Sequence, residues 1–308
     1  MKTALVLGAG GARGLAHIGV IKVLEQEGFQ PDLIVGSSIG AIIGGMYAQT
    51  RDIRWVEHRV REFFESHEYA DLRVDVLERH GSDRNENDFL HQIARNLVKR
   101  VLLNMIVSRQ SILRDDRLGQ AMGFLLKSGD IRETEIPFAC VATDLVKGQP
   151  VLFTEGDIQL AVKASSSIPG YLPPVPYNSC LLVDGAVAYS LPINYAYQLG
   201  ADRVIAVDVR QRIKPQDKFE NVFDILFRSS AVTAEILCQE IAARADVLLQ
   251  PDVGNYLWYD FQKMNDLIQA GEDAAYQKLT EIRQHIGLAR KAGLLGWLAK
   301  KLKKGTGS

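Results

Sequence analysis

The chain has 308 residues, of which 47% are hydrophobic and 24% are charged, and these proportions exclude a disordered or fibrous protein. Its formal net charge of -1 gives no general attraction to nucleic acid, which a surplus of Lys and Arg would supply. Three widely spaced cysteines, Cys140, Cys180 and Cys238, indicate buried reduced thiols rather than a disulfide framework, and therefore a reducing compartment.

Membrane and export signals are weak in this sequence. No stretch has the roughly 20 consecutive apolar residues that span a bilayer. The apolar run from Thr3 to Ala9 is shorter than the core of a signal peptide and leads directly to Arg13, so it predicts a strand. We therefore expect a cytoplasmic protein.

Two strand-turn-helix units open the chain. An apolar strand from Ala4 to Leu7 ends in a glycine cluster, and apolar residues then recur at helical spacing up to Gly28. A second strand, Leu33 to Val35, ends in Gly-Ser-Ser-Ile-Gly and leads into a helix of small residues from Ala41 to Ala48. Two such units in succession predict a doubly wound α/β fold with a mostly parallel sheet.

The rest of the chain adds a helical insertion and further strands. A mostly helical stretch, broken by the polar segment 81–88, predicts an insertion over about 51–130. Strands are predicted at Pro137 to Thr143, Val151 to Phe153, Leu181 to Val183, Val204 to Val209 and Val247 to Leu249, and helices from about Phe261 onward. We expect one α/β domain over 1–250 and a helical extension over 251–308.

The segment Gly36-Ser37-Ser38-Ile39-Gly40 has the G-x-S-x-G pattern between a strand and a helix rich in small residues. The two glycines permit a sharp turn, which exposes the Ser38 oxygen at the helix N-terminus, where partial positive charge favours a developing anion. The same glycines could instead serve only close packing of the helix on the sheet. An oxyanion hole and a base are needed to decide between these interpretations.

The glycine-rich segment 8–14 follows the first strand, so its amides lie at the same edge of the sheet as Ser38. Such amides can hold an oxyanion, and the candidates are Gly10, Gly11, Ala12, Arg13 and Gly14. They could also hold the phosphates of a dinucleotide, although Arg13 stands where a third glycine belongs and the second strand ends without an acid for a ribose hydroxyl. The Arg13 side chain could steady the loop, face an anionic substrate or lie in solvent.

Two residue types are candidates for the general base that activates Ser38. The usual partner is histidine, and the serine-acid-histidine order of α/β-hydrolases would select His285, while His17 on the first helix is better explained by a structural role. Asp184 follows a short apolar strand as an Asp-Gly turn, a position where catalytic side chains collect in open sheets. A simple Asx-turn would give the same local pattern.

Taken in order, the glycine loop, Gly36-Ser37-Ser38-Ile39-Gly40 and Asp184-Gly185-Ala186 resemble the three signatures of the patatin-like phospholipase family. Ala142-Thr143-Asp144-Leu145 and Ala164-Ser165-Ser166-Ser167-Ile168-Pro169 resemble further family segments, and the resemblance spans roughly residues 3–209. It implies a three-layer α/β/α fold and a Ser-Asp dyad without histidine. By motif match, Ser38 is the nucleophile, Asp184 is the general base, Gly10 and Gly11 fall in the oxyanion loop, and Arg13 is its basic residue.

The resemblance implies a serine acyl hydrolase, either a phospholipase, a lysophospholipase or a carboxylesterase, that acts on a lipid acyl ester without a metal or cofactor. Because an unperturbed aspartate is about 2.6 pH units less basic than histidine, or roughly 3.5 kcal/mol, burial of Asp184 would recover part of the missing proton affinity. Three alternatives stay open: an acyltransferase with the same dyad, a non-catalytic regulatory or scaffold protein of this fold, and a dinucleotide-binding protein.

The C-terminal end has the pattern of an amphipathic helix. One face carries Leu294, Leu295, Leu298 and Leu302, and the other carries Lys300, Lys301, Lys303 and Lys304. Trp297 projects toward the lysine side. The leucines either dock on the core of the enzyme itself or bring the chain to the inner face of an anionic membrane.

Overall fold

The structure is a computed structural model that describes residues 1–72, 111, 113, 116–219 and 222–286. The strands are β1 Thr3–Leu7, β2 Leu33–Ser37, β3 Phe138–Asp144, β4 Gln149–Phe153, β5 Val175–Tyr177, β6 Cys180–Asp184, β7 Arg203–Val207 and β8 Val247–Leu249. The helices are α1 Ala16–Gln26, α2 Ile39–Thr50, α3 Ile53–Phe64, α4 His67–Asp71, α5 Arg117–Leu125, α6 Ile158–Ser165, α7 Ile193–Gln198, α8 Val222–Ala242, α9 Met264–Gln277 and α10 Leu279–Ile286.

The described strands form one mixed sheet in the order β5-β6-β3-β2-β1-β7-β8, with β4 also paired to β3. β3, β2, β1, β7 and β8 run parallel, as the repeated strand-turn-helix pattern predicts. β4 and β6 pair antiparallel with β3, and β5 pairs antiparallel with β6. The predicted mostly parallel sheet is therefore confirmed for its central strands, with an antiparallel region on the side of β3.

Alternate residues of the central strands are buried on opposite faces of the sheet. On β1, Leu5 and Leu7 belong to an apolar core shared with α1 and α2. Ala4 and Val6 belong to a second core, which includes residues of α7 and the end of α8. This alternation follows from the two-residue period of a strand. Because helices cover both faces, the fold is the three-layer α/β/α arrangement that the family resemblance implies.

β2 and β6 lie end to end along one edge of β3. β2 pairs with β3 as far as Val141, and β6 pairs with β3 from Ala142 onward. β4 occupies the other edge of β3 over the same region. Because β6 runs against β2, the two carboxyl ends meet. This topology brings Asp184 next to the turn that follows Ser37.

The helices after residue 260 pack on the first helix of the chain. A Cβ atom added at Gly19 of α1 would collide with the carbonyl oxygen of Ile268, and one added at Gly271 of α9 would collide with that of Ala16. The two backbones therefore approach closely where the helices cross, and the prediction of helix from about Phe261 is confirmed over the described residues. The boundary expected at residue 250 stays a prediction.

Two predicted features lie outside the described residues. They are the central part of the helical insertion, over 73–110, and the leucine and lysine faces of the C-terminal helix, which fall in 287–308. Among the helices that the structure describes, none is both long and apolar enough to cross a membrane.

Candidate active site

Ser38 occupies the turn between β2 and α2 in a backbone conformation that residues with a side chain rarely adopt, with φ 55° and ψ -125°. Such a conformation costs of order 1–3 kcal/mol and persists only where its surroundings fix it. The flanking glycines give the space for this turn. A Cβ atom added at Gly36 would collide with the backbone of Ala41, and one added at Gly40 would collide with the carbonyl of Leu7. Close packing and a strained serine therefore occur together.

Two neighbouring serines hold the backbone of Ser38 from the other side. The Ser38 N–H donates to Ser165 Oγ at 3.0 Å, and Ser166 Oγ donates to the Ser38 carbonyl at 3.3 Å. Ser165 is fully buried and Ser166 nearly so. The sequence showed these serines only as part of a family-like segment, and their hydrogen bonds to Ser38 depend on contacts across the fold. They stabilise the strained turn.

The Ser38 hydroxyl donates a hydrogen bond to Asp184 Oδ2 at 2.6 Å. The other carboxylate oxygen, Asp184 Oδ1, accepts from the N–H of Ala186 at 2.8 Å. The main-chain carbonyl of Asp184 accepts from Thr143 Oγ1 at 3.1 Å. The carboxylate is thus fixed on one side by a backbone amide and presents its second oxygen to the serine. A strand end and a short helical turn, rather than a mobile loop, hold it in place.

Burial raises the pKa of Asp184 to about 7, against the weaker opposing effect of the hydrogen bonds from Ser38 and Ala186. The cause is desolvation, because the side chain is completely buried and the charged form loses its contact with water. A carboxylate with this pKa is about as basic as an ordinary imidazole. Asp184 therefore has the proton affinity that a general base needs near neutral pH.

The glycine loop lies beside this pair. Gly11 has φ +59°, and a Cβ atom there would collide with the carbonyl oxygen of Trp258. The N–H of Ala12 donates to that same oxygen at 2.6 Å, so the Ala12 amide is already engaged. Gly14 packs against Ile39 at the start of α2. The amides of Gly10 and Gly11 are therefore the better candidates for oxyanion donors.

Arg13 lies inside the fold rather than in solvent. Its side chain is fully buried, Nε donates to the Gly10 carbonyl at 3.2 Å, and Nη1 donates to Gln211 at 3.4 Å. Of the roles that the sequence left open, the solvent-exposed one is wrong. The hydrogen bond to the Gly10 carbonyl helps to hold the glycine loop in its conformation.

The histidine alternatives lie elsewhere. His17 Nε2 is 2.8 Å from the Gly8 carbonyl, so Nε2 carries the proton, and burial lowers the pKa of His17 to about 4. His17 is therefore a neutral support at the end of β1. His285 Nδ1 accepts from Arg203 at 3.2 Å. Arg203 begins β7, so this contact lies at the amino ends of the parallel strands, whereas Ser38 lies at their carboxyl ends. The side-chain partner of Ser38 is Asp184.

An apolar cleft opens above Ser38 and has a volume of about 820 Å³, including its mouth. Gly11 and Ser38 lie in its lining, together with apolar side chains of α2, α3 and α5. These include Ile42, Phe63, Phe64, Leu118 and Met122. The helices after β2 thus build a cleft for an apolar group next to the serine, while no cluster of metal-ligating side chains occurs in the described part of the chain.

Sequence comparisons identify relatives of this chain. The profile of the family described as Patatin-like phospholipase matches residues 5–197. A putative patatin-like phospholipase domain-containing protein of Caenorhabditis elegans is 34% identical over 207 residues, which are 67% of this chain and 16% of that protein. Human patatin-like phospholipase domain-containing protein 6 is 32% identical over 208 residues, which are 67% of this chain and 13% of that protein.

A longer match joins this chain to the Lysophospholipase NTE1 of Lodderomyces elongisporus, with 26% identity over 316 aligned positions that cover 94% of this chain and 20% of that protein. The chain thus spans only a fifth or less of each of these three relatives. The family profile covers well over half of the chain and includes the glycine loop, Ser38 and Asp184. The chain belongs to the patatin-like phospholipase family.

Proposed function

We propose that this protein is a serine acyl hydrolase that cleaves lipid acyl esters, with Ser38 as the nucleophile and Asp184 as the general base. The observation that carries the proposal is the 2.6 Å hydrogen bond between the Ser38 hydroxyl and the buried Asp184 carboxylate, at the base of an apolar cleft. The names of the relatives, which include a phospholipase family and a lysophospholipase, support a lipid as the substrate.

In the first half of the reaction, Ser38 Oγ attacks the ester carbonyl carbon while Asp184 Oδ2 takes the hydroxyl proton. The strained turn directs Oγ toward the cleft, and the hydrogen bond from the Ala186 N–H keeps the Asp184 carboxylate oriented toward the serine. The carbonyl oxygen becomes an oxyanion, for which the Gly10 and Gly11 amides are the donors. Loss of one such donor costs about 2.7–4 kcal/mol in other serine hydrolases.

The tetrahedral intermediate then collapses, the ester C–O bond breaks, and the leaving alcohol takes the proton from Asp184. The acyl group stays on Ser38 Oγ with its chain in the apolar cleft. Water then attacks the acyl carbon and gives a proton to Asp184, which returns it to Ser38 Oγ as the fatty acid leaves. The carboxylate serves as base and acid in turn, and a pKa near 7 suits both roles.

Hydrolysis of a lysophospholipid and of short and long acyl p-nitrophenyl esters tests the proposal. Wild type should cleave at least one of these substrates, and Ser38→Ala and Asp184→Asn should each lower the rate by about 10³-fold or more. Ser37→Ala is the matched control, because Ser37 is an equally buried neighbour whose hydroxyl does not bond to Asp184. Full activity of Ser38→Ala, or equal losses in Ser37→Ala and Ser38→Ala, would contradict the assignment.

A further inference from the structure

The outer face of α8 is an apolar surface stripe. Its six members are 38–67% exposed and recur at helical spacing: Val222, Ile225, Leu226, Val232, Ile236 and Leu237. At 100° per residue they lie within about 140° of the helix circumference. Ser229 and Thr233, which are also exposed, lie on the same face between the two apolar groups. Exposed apolar faces of this kind are typical of interaction sites.

The opposite face of α8 fixes the helix on the fold. Ala231, Cys238 and Ile241 are buried beneath it. Glu235 is buried as well and forms an ion pair with Arg210 at 3.5 Å. These buried contacts set the rotation of α8 about its own axis, so the apolar stripe faces outward. The charged residues Asp224, Arg228 and Glu235 all lie off the stripe between Val222 and Gln239.

We propose that this stripe is the dimer interface of the protein, at which the α8 helices of two copies pack antiparallel about a two-fold axis. With the axis level with Ala231, Leu226 of one copy lies opposite Leu237 of the other, and Ile225 lies opposite Ile236. Ser229 lies opposite Thr233, so that hydroxyl groups meet at the crossing. The same helix therefore complements itself, as a two-fold interface requires.

The charge at the end of the stripe also favours a second copy. Glu240 lies on the stripe at the C-terminal end of α8, and the two-fold axis brings it to the N-terminal end of the partner helix, near the level of Val222. The positive end of that helix dipole attracts a carboxylate. A membrane-surface helix, in contrast, has Lys and Arg beside its apolar face, whereas α8 carries one arginine and three acids.

Sedimentation equilibrium of the full chain, without detergent, from about 1 to about 100 µM tests the proposal. Wild type should be a dimer at the upper concentrations, and Leu226→Lys and Leu237→Glu should each be monomeric. The double variant should dimerise again, because each new lysine would face a new glutamate of the other copy. The two positions are about 16 Å apart along one helix and cannot pair within it.

Val146→Lys is the matched control, since Val146 is 64% exposed in the turn between β3 and β4 and lies away from α8. It should stay dimeric, and so should Ser38→Ala, because the interface does not depend on catalysis. Circular dichroism of Leu226→Lys, Leu237→Glu, their double variant and Val146→Lys should match wild type, because these variants change only exposed positions. A double variant as monomeric as the single variants would overturn the antiparallel pairing.

A wild type that stays monomeric overturns the proposal, and two further measurements then identify the occupant of the stripe. If deletion of 287–308 produces a dimer, the C-terminal segment covers the stripe in the intact chain. If the monomer co-sediments with phosphatidylglycerol vesicles and Leu237→Glu abolishes that binding, the stripe contacts lipid instead.

Discussion

The Ser38 hydroxyl and the Asp184 carboxylate are separated by 146 residues of chain and by 2.6 Å in space. They meet because β2 and β6 share one edge of β3 and run toward each other. Ser38 follows β2 and Asp184 ends β6, so strands that pair with β3 position both residues. A site on such elements keeps its geometry better than one on loops.

The pH dependence of hydrolysis should report the pKa of Asp184. Only the carboxylate form accepts the serine proton, so kcat/KM should fall about tenfold per pH unit below pH 7 and level off above it. His17 stays neutral through this range because burial lowers its pKa to about 4. The rate should be followed at the isosbestic wavelength of p-nitrophenol, so that ionisation of the leaving group does not enter. An acid limb near pH 4 would contradict the raised pKa.

Replacement of Asp184 by asparagine should stabilise the protein in alkaline solution. The folded state holds the proton of Asp184 up to about pH 7 and the unfolded state only up to about 3.8, so the wild type loses stability as pH rises between these values. An asparagine side chain would avoid this cost, while its amide oxygen still accepts from Ala186. We expect the variant to gain on the order of 1–4 kcal/mol relative to wild type between pH 4 and pH 8.

Urea unfolding of both proteins at pH 4, 6 and 8 measures this difference. The free energy of unfolding should fall with pH more steeply in the wild type than in Asp184→Asn. Parallel curves for the two proteins would mean that the carboxylate is not desolvated as the structure indicates.

Ser165→Ala should impair catalysis through the backbone of Ser38. Loss of the Ser165 hydroxyl leaves the buried Ser38 N–H without its acceptor, which costs about 1–3 kcal/mol. We expect kcat to fall by about tenfold or more with little change in KM, and Ser165→Thr, which keeps the hydroxyl, should restore part of it. Ser167→Ala is the control, since the Ser167 hydroxyl donates to the Lys163 carbonyl of α6 and not to Ser38. Equal effects of the two alanine variants would argue against this positioning role.

Ile42→Trp should shorten the acyl chain that the enzyme accepts. Ile42 lines the cleft one helical turn beyond Ser38, so a larger side chain there fills space that a long acyl chain needs. The ratio of kcat/KM for a long ester to that for a short ester should fall by about tenfold or more. Short esters serve as the internal control. A parallel loss on both substrates would indicate general damage rather than a blocked cleft.

The sequence predicts most of this sheet because its central strands are buried on both faces and read as apolar runs. β8 was predicted with the bounds that the structure has, Val247–Leu249. No sequence pattern predicts β5, since Val175–Tyr177 is a three-residue edge strand with a proline at its centre. The sequence does not predict that β4 and β6 run antiparallel to β3, because an apolar run predicts a strand but not the direction in which it pairs.

The candidate site is likewise only partly predictable from the sequence. The turn at Ser38, the glycine loop and Asp184 have local motifs, and the structure brings them together. Trp258 has no such motif. It contacts Gly11 because the chain returns to the glycine loop after β8. The buried serines at 165 and 166 have only one signal in the sequence, their place in a segment that resembles the family.

Intact-protein mass spectrometry after reaction with a fluorophosphonate tests the central claim most directly, because the reagent labels an activated serine. Wild type should gain one adduct, located on Ser38 by peptide mapping. Asp184→Asn should label far more slowly, and Ser38→Ala should not label at all. An adduct on another residue, or equal labelling of Ser38→Ala and wild type, would contradict the Ser38–Asp184 dyad.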